Sequence, residues 1–150
     1  MKSLAFFIFG LLLISPKASA FSYANRGVGL AIGEPAGITV FYRTNDKAFV
    51  QAFIGPNMVL GGDYNFAFAG AIKDAPSVTP YLGFGGFIFN RDYRNRETDT
   101  SGFGIRMPAG LLFQIPEAPF QFHVEVSAAS TINPFFYSFA SAMVGLRFLF

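Results

Sequence analysis

The sequence predicts an all-β fold: an eight-stranded antiparallel up-and-down transmembrane β-barrel preceded by a cleaved signal peptide. Three observations carry that prediction. Apolar residues alternate with small or polar ones through most of the chain, the period of a strand with two unlike faces. The 150 residues are 52% hydrophobic and 18% aromatic but only 13% charged, whereas a soluble domain carries about a quarter charged residues. The last residue, Phe150, closes one of the alternating runs.

The first twenty residues have the pattern of an address. Lys2 is followed by an apolar run from Leu4 to Ile14, broken only by Gly10, and then by Ala18-Ser19-Ala20. A positive start, a short apolar centre and a small-residue cleavage site define a secretory signal peptide. The run is too short for a spanning helix, which needs about 17–25 residues. Residues 21–150 are expected to form a single barrel domain. Cleavage after Ala20 removes Lys2 and Lys17 and leaves a formally neutral chain, so the pI of 9.0 implies no acidic partner. No nucleic-acid binding is expected from such a composition.

Eight alternating segments follow in order. Val28, Leu30 and Ile32 oppose Gly27, Gly29 and Ala31. Ile38, Val40 and Tyr42 oppose Thr39, Phe41 and Arg43. Ala48, Val50, Ala52 and Ile54 oppose Phe49, Gln51 and Phe53. Leu60, Gly62, Tyr64, Phe66 and Phe68 oppose Gly61, Asp63, Asn65 and Ala67. Leu82, Phe84 and Ile88 oppose Tyr81, Gly83, Gly85 and Phe87. The odd-numbered apolar residues from Phe103 to Ile115 oppose Gly104, Arg106, Pro108, Gly110, Leu112 and Gln114. Phe120, Phe122, Val124, Val126 and Ala128 oppose Gln121, His123, Glu125 and Ser127. The even-numbered apolar residues from Ala140 to Phe150 oppose Ser141, Met143, Gly145, Arg147 and Leu149. Turn chemistry separates them at Glu34-Pro35-Ala36-Gly37, Thr44-Asn45-Asp46, Gly55-Pro56-Asn57, Asp74-Ala75-Pro76-Ser77, Pro116-Glu117-Ala118-Pro119 and Asn133-Pro134.

The two faces decide the orientation. A water-facing wall should be roughly 25–35% charged, yet the more polar face is mostly Gly, Ala, Ser, Thr, Asn and Gln. Its charges are Arg43, Asp63, Arg106, Glu125 and Arg147, with His123 beside them. The other face carries no charge in any segment, as hydrocarbon requires, because Arg or Lys there costs about 2–4 kcal/mol at the midplane. The polar face is therefore expected inside, with these six residues forming an interior charge network that fills the lumen and sets register. Inward glycines would leave volume for a narrow polar path or a small-molecule site, the path being the basis of an alternative reading as a small pore.

Val144, Leu146, Phe148 and Phe150 alternate up to the C-terminus. This run resembles the C-terminal strand signature of bacterial outer-membrane proteins, which the barrel-assembly machinery reads. GVGLAIGEPAGITVFYR (27–43), PYLGFGGFIF (80–89) and GFGIRMPAGLLFQIPEAPFQFHVEVS (102–127) resemble a family of small, largely uncharacterised outer-membrane barrels similar to the transmembrane domain of outer-membrane protein A. The resemblance implies a Gram-negative type of envelope, outer-membrane localisation, and contact with outer-membrane lipid and lipopolysaccharide. It brings no catalytic residues. With no Trp in the chain, Phe and Tyr must form the interfacial girdles.

Other chemistry is thin. His123, Glu125 and Ser127 share a face, but i, i+2, i+4 spacing separates the outer two by about 13 Å, beyond the reach of a nucleophile and its base. One His and no Cys offer no metal set, and no cofactor is expected. Gly83-Phe84-Gly85-Gly86 lacks the Lys and Ser/Thr of a phosphate loop. The connection from Asn90 to Ser101 is the densest in charge, with Arg91, Asp92, Arg94, Arg96, Glu97 and Asp99 around Tyr93. It is expected to be extracellular and open to a surface ligand or to lipopolysaccharide phosphates. The function expected is structural or interactive, from a monomer without catalysis. The alternatives are the pore, a lipid-modifying enzyme and a soluble periplasmic lipid-binding barrel.

Overall fold

The computed structural model describes residues 24–55, 60–75, 77–89, 101–115, 118–133 and 136–150. The expected signal peptide (1–20) and the charged stretch from Arg91 to Asp99 lie outside the described residues.

Eight antiparallel strands close into a barrel: β1 (Arg26–Gly33), β2 (Gly37–Asn45), β3 (Ala48–Ile54), β4 (Leu60–Ala67), β5 (Val78–Phe89), β6 (Gly102–Gln114), β7 (Phe120–Asn133) and β8 (Tyr137–Leu149). Each strand pairs with the next, and β8 returns to β1 through Leu30↔Leu146 and its neighbours. Closure leaves no unpaired edge. β1 to β4 are 7–9 residues long, whereas β5 to β8 are 12–14.

The up-and-down path divides the molecule into two ends. The terminal end carries the start of β1, the end of β8 and the β2–β3, β4–β5 and β6–β7 connections. The loop end carries the other four connections. Gly33 and Gly37 bracket the first of these with φ of 114° and 141°, backbone angles that a side chain resists.

Alternation holds in the ladder throughout. Odd-numbered residues point inward on every strand except β6, where the even-numbered Gly104, Arg106, Pro108 and Leu112 do; on the short β3, Phe49, Gln51 and Phe53 are buried. Two departures from the expected segments occur. β7 continues through Ala129–Asn133 and β8 begins at Tyr137, although Ala128-Ala129-Ser130-Thr131 has no apolar alternation. Cross-strand pairing holds it instead: Ser130 Oγ lies 2.7 Å from Ser138 Oγ, and Thr131 Oγ1 donates to the Tyr137 carbonyl at 3.4 Å. The register shifts between Arg43 and Asn45 on β2, a local twist of the kind that bulges introduce near turns.

Candidate functional site

The lumen is built in layers. At the terminal end Ala24, Phe41, Phe49, Tyr81, Leu112 and Leu149 pack into one cluster, with Phe49 5.1 Å from Phe41 and 5.2 Å from Tyr81 between ring centroids. At the loop end Phe53, Phe87 and Phe89 form a second cluster. Between them lies a charged layer.

Arg106, on β6, is the hub of that layer. Its Nη2 pairs with Glu125 Oε1 on β7, and its Nε lies 3.2 Å from Asp63 Oδ1 on β4. The guanidinium also sits 4.8 Å from the centroid of the Phe53 ring. Glu125 accepts a second bond from the Tyr81 hydroxyl at 2.6 Å and a longer one from Gln51 Nε2 at 3.4 Å. The Gln51 amide oxygen in turn accepts from Arg147 Nη2. Arg147 is fully buried, donates at 3.4 Å to both Thr39 Oγ1 and Gln121 Oε1, and lies 5.4 Å from the Phe41 centroid. Two acids and two arginines thus form one chain across the lumen, with Gln51 as the bridge. The formal charges cancel, the condition under which buried ions are tolerated.

The structure gives the six expected residues different places. Asp63, Arg106, Glu125 and Arg147 belong to the chain just described. Arg43 does not join it. It faces inward but stands beside the β2–β3 connection, half-buried at the mouth of the terminal end, with no ion pair to the described residues. Alternation assigns a face but not a height along the axis, and Arg43 shares only the face. His123 is fully buried but neither ring nitrogen has a hydrogen-bond partner. Its ring lies over Gly145, the residue opposite on β8. Ser127 bonds Ser141 at 2.6 Å and Glu125 is committed to Tyr81 and Arg106, so no His–Glu–Ser relay forms.

Gln51 and Tyr81 are the residues that sequence reasoning missed. Both sit on faces assigned inward, yet they lie 74 and 44 positions from Glu125. Only the closed topology brings them together.

The inward glycines also take a different role from the one expected. They do not leave space. A Cβ on Gly61 would strike the Phe53 ring, on Gly104 the Phe87 ring, on Gly110 the Tyr81 ring and on Gly145 the His123 ring. Each glycine is the recess into which a bulky cross-strand neighbour lies, so these positions open no path along the lumen. Gly145→Ala is expected to cost about 1–3 kcal/mol by overpacking. Pairing it with His123→Ala should recover most of that loss, and equilibrium urea unfolding of both variants checks it. Independent, additive losses would show that the ring does not occupy the recess.

The outer wall is the inverse of the lumen. Leu30, Ile32, Phe84, Ile105, Met107 and Val126 are each more than half exposed. The outward strand positions carry no charge other than Arg26 at the very start of β1. Aromatic rings gather on this wall from mid-height to the terminal end. Tyr64, Phe66 and Phe84 form one group with centroids 5.3–6.4 Å apart. Phe120, Phe148 and Phe150 form another, with 5.8 and 6.4 Å between successive rings. Val144, Leu146, Phe148 and Phe150 all lie outward along this stretch.

The layered, closed barrel has a counterpart of known structure. The N-terminal β-barrel domain of Pseudomonas aeruginosa OprF superposes with a TM-score of 0.54, over 83% of this chain and 95% of that one, at 13% sequence identity. The likeness is one of fold. No family model matches the chain, and no curated protein matches its sequence.

Proposed function

We propose that the chain is an integral outer-membrane barrel with a structural or surface-contact role and a sealed, non-conducting lumen. The observation that carries the reading is the inversion of its surfaces: charges sit inside as a neutralised network, and a continuous apolar wall faces out. A water-soluble carrier barrel needs the opposite arrangement, because exposed apolar area on this scale associates in water. A closed barrel satisfies every backbone polar group without water, as hydrocarbon demands. The Phe120, Phe148 and Phe150 group at the terminal end suits a membrane interface. Delivery to the outer membrane is supported by the signal-like residues 1–20 and by the alternating C-terminal strand that resembles the assembly signature. Surface contacts are proposed for the charged stretch 91–99, which follows β5 in the sequence and would face the cell exterior in this orientation.

Cell fractionation followed by gel migration tests the reading. The chain should appear with the outer membrane, and the unboiled sample should run faster than the boiled one. Release with soluble periplasmic proteins and a single, heat-independent band would overturn it. The filled glycine recesses favour a sealed lumen over a pore, so planar bilayers containing the chain should show no discrete conductance steps. Labelled lipid A should keep its acyl chains after incubation, and acyl loss or transfer would reinstate an enzymatic role.

A further inference from the structure

We propose that the mouth of the lumen at the terminal end is a binding site for a small organic carboxylate with an apolar body. The inference goes beyond the structural role, and it rests on the barrel interior alone, so it stands or falls separately from the membrane reading.

The argument begins with the charge balance. Five charged side chains face inward on the strands: Arg43, Asp63, Arg106, Glu125 and Arg147. Four of them cancel within the buried chain. The surplus is one positive charge, and it is carried by Arg43, whose guanidinium pairs with none of the described residues. Arg43 lines a cavity of about 240 Å³. A cavity of roughly 150 Å³ holds a benzene molecule, so this one has room for a ring or branched alkyl group together with a short acid arm.

The cavity is also lined with two kinds of surface. Phe41, Phe49 and Leu112 supply an apolar floor from the cluster that closes the lumen. Above it, Gln121 is 2% exposed and commits its amide oxygen to Arg147, while its amide nitrogen donates to no described residue. Arg43 and Gln121 therefore offer donors without acceptors over an apolar base. Asp46 is the one acidic group on the lining, placed at the exposed β2–β3 turn and making no ion pair with Arg43. That arrangement matches a single anionic head over an apolar body. A guanidinium–carboxylate bond is the stronger, charge-assisted type, and the floor excludes water from one side of it.

The test uses the full mature chain folded in detergent micelles, with folding checked by gel migration. Hydrocinnamate and its neutral counterpart, hydrocinnamyl alcohol, are titrated by calorimetry. Wild-type and variant chains in the same micelles cancel the partition of each probe into detergent. Hydrocinnamate should bind at least about tenfold more tightly than the alcohol, as one charge-assisted bond requires. Arg43→Gln should remove that preference, and Arg43→Lys should keep part of it. Leu112→Trp, which fills the floor, should abolish binding of both probes while the band shift persists. Equal affinity for acid and alcohol, an unchanged acid affinity in Arg43→Gln, or no saturable heat from the wild-type chain would each overturn the proposal.

Discussion

Arg106→Ala is expected to destabilise the folded barrel by about 3–5 kcal/mol, the cost of leaving buried charges without their partner. Among the described residues Arg106 is the one cation that touches both acids, so its loss strands Asp63 and Glu125 together in the lumen. Tyr81 and Gln51 still reach Glu125, but two neutral donors do not replace a guanidinium. Asp63 fares worse, since neither carboxylate oxygen has a well-aligned hydrogen bond even in the intact chain. The chain has no Trp, so unfolding is best followed by the fraction of faster-running unboiled band, together with far-ultraviolet circular dichroism across a urea series. A double variant, Arg106→Met with Asp63→Asn, should regain most of the loss because Glu125 and Arg147 then remain as a charge-balanced pair bridged by Gln51. If Arg106→Ala costs under about 1 kcal/mol, water or side-chain movement is relieving the stranded acids, and the network is not what holds the lumen closed.

Leu30→Arg is the second large effect, and its size depends on the surroundings of the outer wall. Leu30 lies mid-strand in β1 and is 66% exposed. On a water-facing wall an exposed Leu→Arg change stays within about ±0.5 kcal/mol. In lipid it costs about 2–4 kcal/mol at depth. Unfolding of the variant in phospholipid vesicles should therefore show a loss several times larger than any water-facing substitution gives. A matched change at an exposed turn position, Lys47→Ala, should be nearly silent. Equal, small effects at both positions would show that the apolar wall does not meet hydrocarbon.

The strands and their faces are legible in the sequence because each side is chemically uniform. Even β3 can be read. Phe49 and Phe53 look out of place on a polar face, yet Gln51 between them settles the parity. The reading fails where composition stops changing from one residue to the next. Ala128 to Thr131 offers small and polar residues on both sides, and the ladders with β6 and β8 make it a strand. The site is less legible than the fold for a related reason. Parity tells which way a side chain points, whereas contact across a barrel depends on strand tilt and stagger. Arg43 has the right parity at the wrong height. Tyr81 and Gln51 have both parity and height, but nothing near them in the chain marks them as partners of Glu125. The glycines mislead in another way: a missing side chain looks like space until the neighbouring ring that occupies it is known.

In the proposed membrane setting, the unequal strands have a consequence for the surrounding bilayer. At about 3.3 Å per residue and a tilt near 40°, β1 to β4 rise about 20 Å and β5 to β8 about 33 Å. A spanning strand ordinarily uses about 9–11 residues. One half of the wall is thus shorter than a typical hydrocarbon core and the other half taller. Lipid can meet both only by thinning on the β1–β4 side or by leaning of the whole cylinder toward it, each at a fraction of a kcal/mol per Å of mismatch. The same asymmetry would draw the protein toward thin membranes and give its lateral neighbours a preferred side to approach, where sharing the thinned annulus lowers the deformation that each imposes alone.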